Sequence, residues 1–440
     1  MKYFFNDFIF DDRGSEIYQL VKKLFYINRS LTGDGNRETL KIIKKILPNL
    51  KIHEVKSGTK VFDWKIPLEW NISDAYIIDP LGKKIIDFKK NNLHVVGYSK
   101  KINKTISYEE LIKKIYYKKD MPSAIPYVVS YYNSDWGFCM SYSQFKNLKK
   151  GKYKVFIDSK ISKGSMTYAE LLIKGKSNKE ILLSSYICHP SMANNELSGP
   201  CLLTFLAKKI LQIKKRNFSY RIVFHPENIG AINYIHSNLK ILKKNIIGGY
   251  VISCVGDNKD FSFIPSKYGN TISDDIAKYV LGQKSKKFKQ YSFNEAGSDE
   301  RRYCAPGVDL PIASVLRTKY GSFKEYHTSL DNLKFVSKQG FSGSYEVYLN
   351  IIKMFENNFK LKIKTICEPQ LSKRNLYPKV SSWPDKAGYS KLKALMSMIN
   401  YADGKNTILD ICKITGDSFN SLLMAAMILK KNKLISIKND

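Results

Sequence analysis

The stretch SSYICHPSMANNELSGP at residues 184–200 decides the fold. The apolar run at 181–187 predicts a buried strand, and the apolar pattern at 201–211 predicts a helix. His189 and Glu196 lie in the polar loop between them. Open α/β sheets place their active sites where a buried strand ends and a helix follows. A histidine and a glutamate in one such loop favour a metal site, and the alternative is a plain strand-to-helix connection with a proline turn.

Two further polar loops that adjoin predicted strands carry carboxylates. The short strand RIVF at 221–224 runs into Glu227, and a helical pattern follows. Asp299 and Glu300 lead toward the predicted strand at 312–316. Because loops at the same end of a parallel sheet converge, we expect these side chains to approach the 184–200 loop.

A second histidine stands in a polar loop near the end of this region. His327 lies in the segment RTKYGSFKEYHTSLDNLKFV at 317–336. A metal-bound imidazole usually donates its other N–H to a carboxylate or carbonyl, and Asp331 or Glu325 could accept it. This loop strengthens the prediction of a metal site.

These loops belong to a set of motifs that resembles the zinc aminopeptidase-like family. That family includes the aminopeptidase-type zinc exopeptidases and the bacterial aminopeptidase-like domain proteins of surface-polysaccharide gene clusters. The resemblance implies a metal-dependent hydrolase fold and runs through nearly the whole chain. The motifs are RSLTGDGNRETL (29–40), SGTKVFDWKIPLEWNISDAYI (57–77), PYVVSYYNSDWGFCMS (126–141), CHPSMANNELSGP (188–200), CVGD (254–257), GSDERRYCAPG (297–307) and EYHTSLDNL (325–333).

Three residues match the functional positions of this family. The resemblance implies that His189 corresponds to the metal-binding histidine after the first strand, and that His327 corresponds to the last metal ligand. Glu227 corresponds to the general base, the first residue of a Glu-Glu pair in the family.

Other positions depart from the family pattern. The metal-bridging aspartate falls at Asn195, with Glu196 beside it, and the second glutamate of the pair is replaced by Asn228. The aspartate after the next strand falls at about Ser253, with Asp257 displaced. Each departure removes an anion, and two close cations need anionic ligands to screen their charges.

The departures favour one zinc ion over two. His189, Glu196 and His327 would form a set of two histidines and one carboxylate, which leaves an open position for water. Glu227 would act as the general base on that water. Further candidates for contact with metal or substrate are Asn195, Asp257, Asp299 and Glu300. The alternative is a degenerate site that binds a ligand or partner without chemistry.

Length and composition predict two or three domains in a cytoplasmic protein. Domains usually run to about 100–200 residues, and the chain has 440. The N-terminal residues do not have the pattern of a signal peptide, and no stretch reaches the about 20 apolar residues of a membrane helix. The seven cysteines are odd in number and scattered, which is typical of reduced thiols.

The net charge of +34 has two interpretations. A strong positive charge can indicate nucleic acid or acidic substrates as partners. The lysines, however, are spread along the chain and do not form one basic arm. We therefore favour a solvated cationic surface, and we do not favour nucleic acid as the partner.

The predicted fold is α/β: a three-layer zinc-exopeptidase-like domain with an inserted β-rich domain and a C-terminal winged-helix module. The predicted boundaries are 1–50 and 161–365 for the α/β domain, 51–160 for the insert and 385–440 for the winged-helix module. In the module we expect helices at 392–398, 407–413 and 418–429, a turn at 401–404 and a strand at 433–438. Its third helix has few base-reading side chains, so we expect protein contacts there and a homo-oligomer.

The first functional hypothesis is a zinc-dependent, aminopeptidase-like hydrolase of aminoacyl or acylamino amide bonds. Its substrate would be a small peptide or an aminoacyl or acylamino sugar in surface-polysaccharide biosynthesis, as the resemblance suggests. The alternative is a non-catalytic regulator, associated with a ligand or with DNA, on a degenerate peptidase fold.

Overall fold

The computed structural model describes residues 10–285, 287–377 and 386–438. The chain divides into two compact units. Residues 10–349 belong to the larger unit, and 350–377 and 386–438 are the described part of the smaller one. The ends of the predicted domains at 1–9, 385 and 439–440 lie outside the described residues.

Helices and strands alternate along most of the chain. The helices are α1 Gly14–Leu24, α2 Asp34–Ile46, α3 Tyr108–Ile112, α4 Tyr142–Lys146, α5 Ser198–Gln212, α6 Ile229–Asn245, α7 Ile272–Lys284, α8 Glu300–Tyr303, α9 Lys338–Asn357, α10 Lys386–Tyr401, α11 Ile408–Thr415 and α12 Phe419–Lys431. A π-helical turn occupies Ala193–Leu197, and short 3-10 turns occupy Asn92–His94, Phe293–Glu295 and Ser372–Arg374.

The strands form one large sheet and four smaller ones among the described residues. They are β1 Lys51–Lys56, β2 Lys60–Val61, β3 Trp64–Lys65, β4 Glu69–Ile78, β5 Lys84–Asp87, β6 Ile102–Ser107, β7 Ile115–Tyr116, β8 Phe138–Cys139, β9 Lys152–Ser162, β10 Ser165–Ile173, β11 Glu180–Tyr186, β12 Ser219–His225, β13 Ile246–Val251, β14 Ser262–Ile264, β15 Lys289–Gln290, β16 Ile312–Leu316, β17 Lys360–Ile363, β18 Asp403–Thr407 and β19 Ile435–Lys438.

The large sheet has eight strands in the order β1-β10-β12-β11-β13-β16-β14-β15. Its central strands β12, β11, β13 and β16 are parallel to their neighbours in that group. Every residue of β11 and β12 is buried, as expected for parallel strands that are covered on both faces. The two charged residues among them, Glu180 and Arg221, pair with each other at 2.5 Å.

Two groups of helices pack on this sheet. Helix α5 contacts α1 and α2, while α6, α7 and α8 contact strands of the β13–β16 region. One core cluster includes Leu182 and Val223 from the strands and Tyr234 and Ile235 from α6. The predicted α/β fold class is confirmed by this arrangement.

A separate antiparallel sheet, in the order β5-β4-β9-β6, lies within the segment predicted as an insert. Its core contains Ile77, Tyr153, Val155 and Ile157, which are fully buried. Strand β1 also falls within that segment, but it pairs with β10 in the eight-stranded sheet. The division into domains at 50/51 and 160/161 stays a prediction.

The described part of the smaller unit contains the last residues of α9, the helices α10 to α12 and a sheet in the order β18-β17-β19. The predicted helices are present and are longer than expected, whereas the last strand, Ile435–Lys438, is shorter than the predicted 433–438. The turn that we expected at 401–404 is instead the end of α10 and the start of β18. Within the parts of the chain described here, no helix is long and apolar enough to cross a membrane.

Candidate metal and catalytic site

The site begins where two central parallel strands end. His189 follows β11 and Glu227 follows β12, and the register that pairs Tyr186 with His225 brings both to the same edge. The backbone N–H of Ile187 continues the pairing by donating to the carbonyl of His225 at 3.0 Å. Sequence reasoning predicted this convergence, and the sheet explains it.

The imidazole of His189 lies against a buried carboxylate. Its Nδ1 is 2.5 Å from Oε2 of Glu196, which the π-helical turn carries, and 3.6 Å from Sγ of Cys188. The donor atoms of these three buried residues all lie within 4.8 Å of one another. Burial disfavours a charge on His189, but Cys188 and Glu196 outweigh burial and raise its pKa well above the ordinary value.

Asp331 fixes the π-helical turn that carries Glu196. Its Oδ1 accepts from the backbone N–H of Asn194 at 2.7 Å, and its Oδ2 accepts from that of Asn195 at 2.9 Å. Its carbonyl accepts from the N–H of Ala193 at 2.9 Å. Burial raises the pKa of Asp331 to about 7, against the lowering effect of these hydrogen bonds. The carboxylate that we considered as a partner for His327 therefore ties that histidine's loop to the turn.

His327 lies beside this group, although no cluster with all ligand atoms within 4.8 Å of one another includes it among the described residues. Its ring centroid lies 5.3 Å from that of His189, and Tyr326 stacks on it at 3.9 Å. Its backbone has a φ of +54°, a strained value that is uncommon outside glycine and often marks functional sites. Its Nε2 is buried and has no hydrogen-bond partner among the described residues. Burial, helped by a charge on His189, lowers its pKa to about 3, so the ring is neutral and free to act as a ligand.

Glu227 faces the opposite nitrogen of His189. Its Oε2 lies 3.7 Å from Nε2 of His189, and its Oε1 accepts from Oγ of Ser298 at 2.5 Å. Its backbone N–H points to Sγ of Cys188 at 3.2 Å. The side chain is 19% exposed, so solvent reaches it. Burial raises the pKa of Glu227 above its ordinary value, although His189 and Ser298 act in the other direction.

Asp299 and Glu300 follow Ser298 in the chain. Oδ1 of Asp299 accepts from the N–H of Asn228 at 2.8 Å, while its Oδ2 is buried and without a hydrogen-bond partner in the described part of the chain. Burial, with Glu227 nearby, raises the pKa of Asp299 well above its ordinary value. Glu300 accepts from the hydroxyl of Tyr320 and from the N–H of Ser298 at 3.1 Å.

Asp257 and Asn195, two further candidates from the sequence, have hydrogen-bond partners other than the two histidines. The carboxylate of Asp257 accepts from Nδ2 of Asn194 at 3.0 Å and from the N–H and hydroxyl of Thr318, so it connects two loops. Asn195 is 1% exposed, and its Oδ1 accepts from Tyr186 at 3.4 Å. Its Nδ2 finds no partner within the residues that the structure describes.

Tyr127 is a site residue that sequence reasoning missed. Its ring lies edge-on to both histidines, at 5.2 Å from His189 and 5.3 Å from His327. Its N–H donates to the carbonyl of His327 at 2.8 Å, next to a bridge between Pro126 and Thr328. The motif PYVVSYYN contained it, but nothing in that motif showed which tyrosine would reach the site.

Arg29 is a second missed residue. The side chain is 1% exposed, and its Nε donates to the carbonyl of His189 at 3.0 Å and its Nη1 to that of Leu24 at 2.7 Å. Burial lowers its pKa, and Glu196 is the strongest opposing charge. A buried guanidinium thus supports the backbone of His189 close to the buried carboxylate of Glu196.

The donors at this site suit a cation. Nε2 of His327 and Oε1 of Glu196 are buried, and neither has a hydrogen-bond partner in the described ranges. Buried polar atoms normally have partners, so such atoms call for an explanation. Imidazole nitrogens and carboxylate oxygens are donors that zinc takes in proteins.

The fold and the site define an aminopeptidase-like α/β protein with a winged-helix module. Residues 18–358 match the family described as "Domain of unknown function (DUF4910)", and 359–437 match a winged helix-turn-helix family. The chain belongs to the DUF4910 family.

Individual relatives agree with this assignment. The chain is 43% identical, over 427 residues and 97% of each chain, to a Clostridium acetobutylicum protein named "Putative polysaccharide biosynthesis protein with aminopeptidase-like domain". It is similar to a crystal structure of a "putative peptidase" from Clostridium acetobutylicum, with a TM-score of 0.90, 42% identity and 99% of both chains covered. A zinc aminopeptidase from Bacillus subtilis is similar in structure, with a TM-score of 0.57 and 11% identity; the match covers 78% of this chain and 94% of that one. At this low identity the similarity shows a shared fold and nothing more.

Proposed function

We propose that this protein is a zinc-dependent hydrolase of amide bonds. The observation that carries the proposal is the position of His189, which lies close to both the carboxylate of Glu227 and the ring of His327 at the carboxyl edge of the sheet. Two buried imidazoles beside a partly exposed carboxylate offer both metal ligands and a proton acceptor.

His189 and His327 would hold the metal together with a carboxylate. Two carboxylates contact His189: Glu196 at Nδ1 and Glu227 at Nε2. The sequence-based assignment of Glu196 as the third ligand stays a prediction. The chemistry that zinc supplies in proteins is Lewis acidity toward water and carbonyl oxygens.

Glu227 would accept the proton from the attacking water and return it to the leaving amine. Ser298 holds one of its oxygens, which leaves Oε2 directed toward His189. Burial raises its pKa, which brings the carboxylate closer to the range in which a general base is effective at neutral pH. The ring of Tyr127 covers both histidines from the side and would limit the entry of water.

One zinc ion fits these residues better than two. Asn195 and Asn228 are neutral, and Oδ1 of Asn228 accepts from Nη2 of Arg302 at 2.8 Å. A second cation at this position would meet the positive charge of the guanidinium, and Asn228 supplies no anionic ligand to screen it. The two neutral asparagines and the guanidinium therefore support a mononuclear site.

The substrate would be an aminoacyl or acylamino compound. The name of the Clostridium acetobutylicum relative connects it with polysaccharide biosynthesis. That connection supports an aminoacyl or acylamino sugar as substrate in the cytoplasm, and a small peptide is the other member of this chemical class.

A comparison of wild type and Glu227→Gln tests the proposal. Both zinc-supplemented proteins would be assayed against aminoacyl p-nitroanilides and N-acylated amino sugars, with product measured by mass spectrometry. General-base catalysis contributes about 10²–10⁴-fold, so we expect Glu227→Gln to keep its zinc and to lose turnover by that factor. Glu109→Gln, at an exposed position, is the matched control. Full activity in Glu227→Gln, or no hydrolysis by zinc-loaded wild type, would refute the proposal.

The winged-helix module supports a second function, a DNA-associated regulator. A specific complex with duplex DNA would survive an increase in salt from about 0.05 M to about 0.2 M better than a charge-driven one, which loses about 10³–10⁵ in affinity. Electrophoretic mobility shifts over that range decide between them. If binding to every DNA sequence tested is lost at about 0.2 M salt, the binding is due to the cationic surface alone and the regulator function is refuted.

A further inference from the structure

We propose that Glu196 is a positioning residue and not a metal ligand. It holds the imidazole of His189 through Nδ1, so that Nε2 of His189 faces Glu227 and is the nitrogen that receives the metal. The metal part rests on the proposed function, and the contact between Glu196 and His189 stands without it.

The two nitrogens of His189 have different surroundings. Nδ1 faces Oε2 of Glu196 at 2.5 Å and Sγ of Cys188 at 3.6 Å. Nε2 faces Oε2 of Glu227 at 3.7 Å. The ring centroid of His327, whose buried Nε2 has no hydrogen-bond partner among the residues described, lies 5.3 Å from the ring centroid of His189. A metal that used Nδ1 would have to displace the hydrogen bond between Nδ1 and Glu196.

The distances separate a hydrogen bond from shared ligation. Zinc binds nitrogen and oxygen at about 2.0–2.2 Å, so two ligand atoms of one tetrahedral ion lie about 3.4 Å apart. The 2.5 Å between His189 and Glu196 is shorter than that, and it matches a strong charge-assisted hydrogen bond. The 3.7 Å between Nε2 and Glu227 leaves room for an ion or a water on that side.

Neighbouring groups fix this arrangement. Sγ of Cys188 receives the backbone N–H of Glu227 at 3.2 Å, which ties the thiol to the protein backbone. Arg29 donates to the carbonyl of His189 at 3.0 Å, so the backbone and the ring of this histidine are held separately. Both Arg29 and Glu196 are buried, and the guanidinium offsets the negative charge that Glu196 brings into the interior.

A carboxylate behind a metal-binding histidine has a known physical effect. It accepts the proton of one nitrogen, which fixes the tautomer and leaves the lone pair on the other nitrogen. Loss of such a partner lowers metal affinity by about 10–100-fold, whereas loss of a ligand removes binding. The size of the loss in zinc affinity therefore distinguishes a positioning role for Glu196 from a ligand role.

Imidazole NMR of protein with ¹⁵N-labelled histidine tests the proposal. Spectra of wild type and Glu196→Gln would be recorded before and after addition of zinc sulfate, with His189→Gln to assign the resonance. We expect a strongly downfield Nδ1–H of His189 in wild type, which moves upfield in Glu196→Gln. Glu170→Gln is the matched control, because Glu170 lies 3.4 Å from Nε2 of His53 and should alter only that ring.

The response to zinc separates this proposal from the proposed function. Retention of the Nδ1–H with a shift of the Nε2 nitrogen, and zinc affinity about 10–100-fold weaker in Glu196→Gln, supports both. Loss of the Nδ1–H on zinc addition, or complete loss of zinc binding in Glu196→Gln, overturns the positioning role. A retained Nδ1–H with no response of any histidine nitrogen to zinc supports the contact between Glu196 and His189 and refutes the proposed metal site. Absence of the downfield resonance from zinc-free wild type overturns the inference itself.

Discussion

The substitution Asp331→Asn tests how the two loops of the site are joined. The carboxylate of Asp331 accepts one backbone N–H on each oxygen, from Asn194 and from Asn195. An asparagine offers one acceptor oxygen and places its NH₂ group against the other N–H. An unsatisfied buried donor costs about 1–3 kcal/mol, so Asp331→Asn should lower the free energy of unfolding by that amount when Asp331 is protonated in the wild type.

The free energy of unfolding that Asp331 contributes should decrease as the pH rises. Burial raises the pKa of Asp331 from its ordinary 3.8 to about 7 in the folded protein. Between these two values the unfolded chain releases the proton and the folded chain keeps it. The stability contributed by the protonated group is therefore complete below about pH 4 and is lost as the pH rises to about 7, at about 1.4 kcal/mol per pH unit.

Asparagine has no such proton, so the wild type and the variant should differ in slope. From pH 5 to pH 7 the wild type should lose about 3 kcal/mol relative to Asp331→Asn, and the difference should stay constant above that range. Urea unfolding at pH 5, 6, 7 and 8 measures this, since the other titrating groups are common to both proteins. Asp63→Asn, at an exposed position, is the control and should follow the wild-type curve. A stability difference that is independent of pH, or that grows with pH, would refute the reasoning.

Two other predictions concern packing and catalysis. A Cβ on Gly199 would lie 2.1 Å from the carbonyl oxygen of Ile252, so Gly199→Ala should destabilise the protein by about 1–3 kcal/mol in thermal unfolding. Gly282→Ala, in helix α7 with nothing within 4 Å of its Cβ, should stabilise it by about 0.5–1 kcal/mol, and equal effects of the two would contradict this. Because burial raises the pKa of Glu227 and its base form is the carboxylate, activity should rise with pH through a value above the ordinary 4.5. A pH–rate profile of kcat/KM whose acidic limb lies at or below 4.5 would show that Glu227 is not the base.

The sequence was informative where a local pattern determines the structure. The buried runs that became β11 and β12 placed His189 and Glu227 at strand ends, and parallel pairing brought those ends together. The helices of the winged-helix module followed from their periodicity. Strand β17 was missed because its four residues, KLKI, alternate lysine with apolar residues and are too few for a clear pattern.

Contacts between distant segments could not be predicted in the same way. Tyr127 reaches the histidines through hydrogen bonds that join its loop to the His327 loop, about two hundred residues away in the chain. Which nitrogen of His189 meets Glu196 depends on side-chain rotamers that no spacing rule determines. Asp331 was expected near His327, but its hydrogen bonds to the π-helical turn required the assembled fold.

Metal content tests the central claim most directly. Elemental analysis of purified wild type, supplied with zinc and then dialysed, should find about one zinc ion per chain, with His189 and His327 among its ligands. His189→Ala and His327→Ala should each lose it, while His53→Ala, in strand β1, should keep it. No zinc in the wild type, or unchanged zinc in both site variants, would contradict the account.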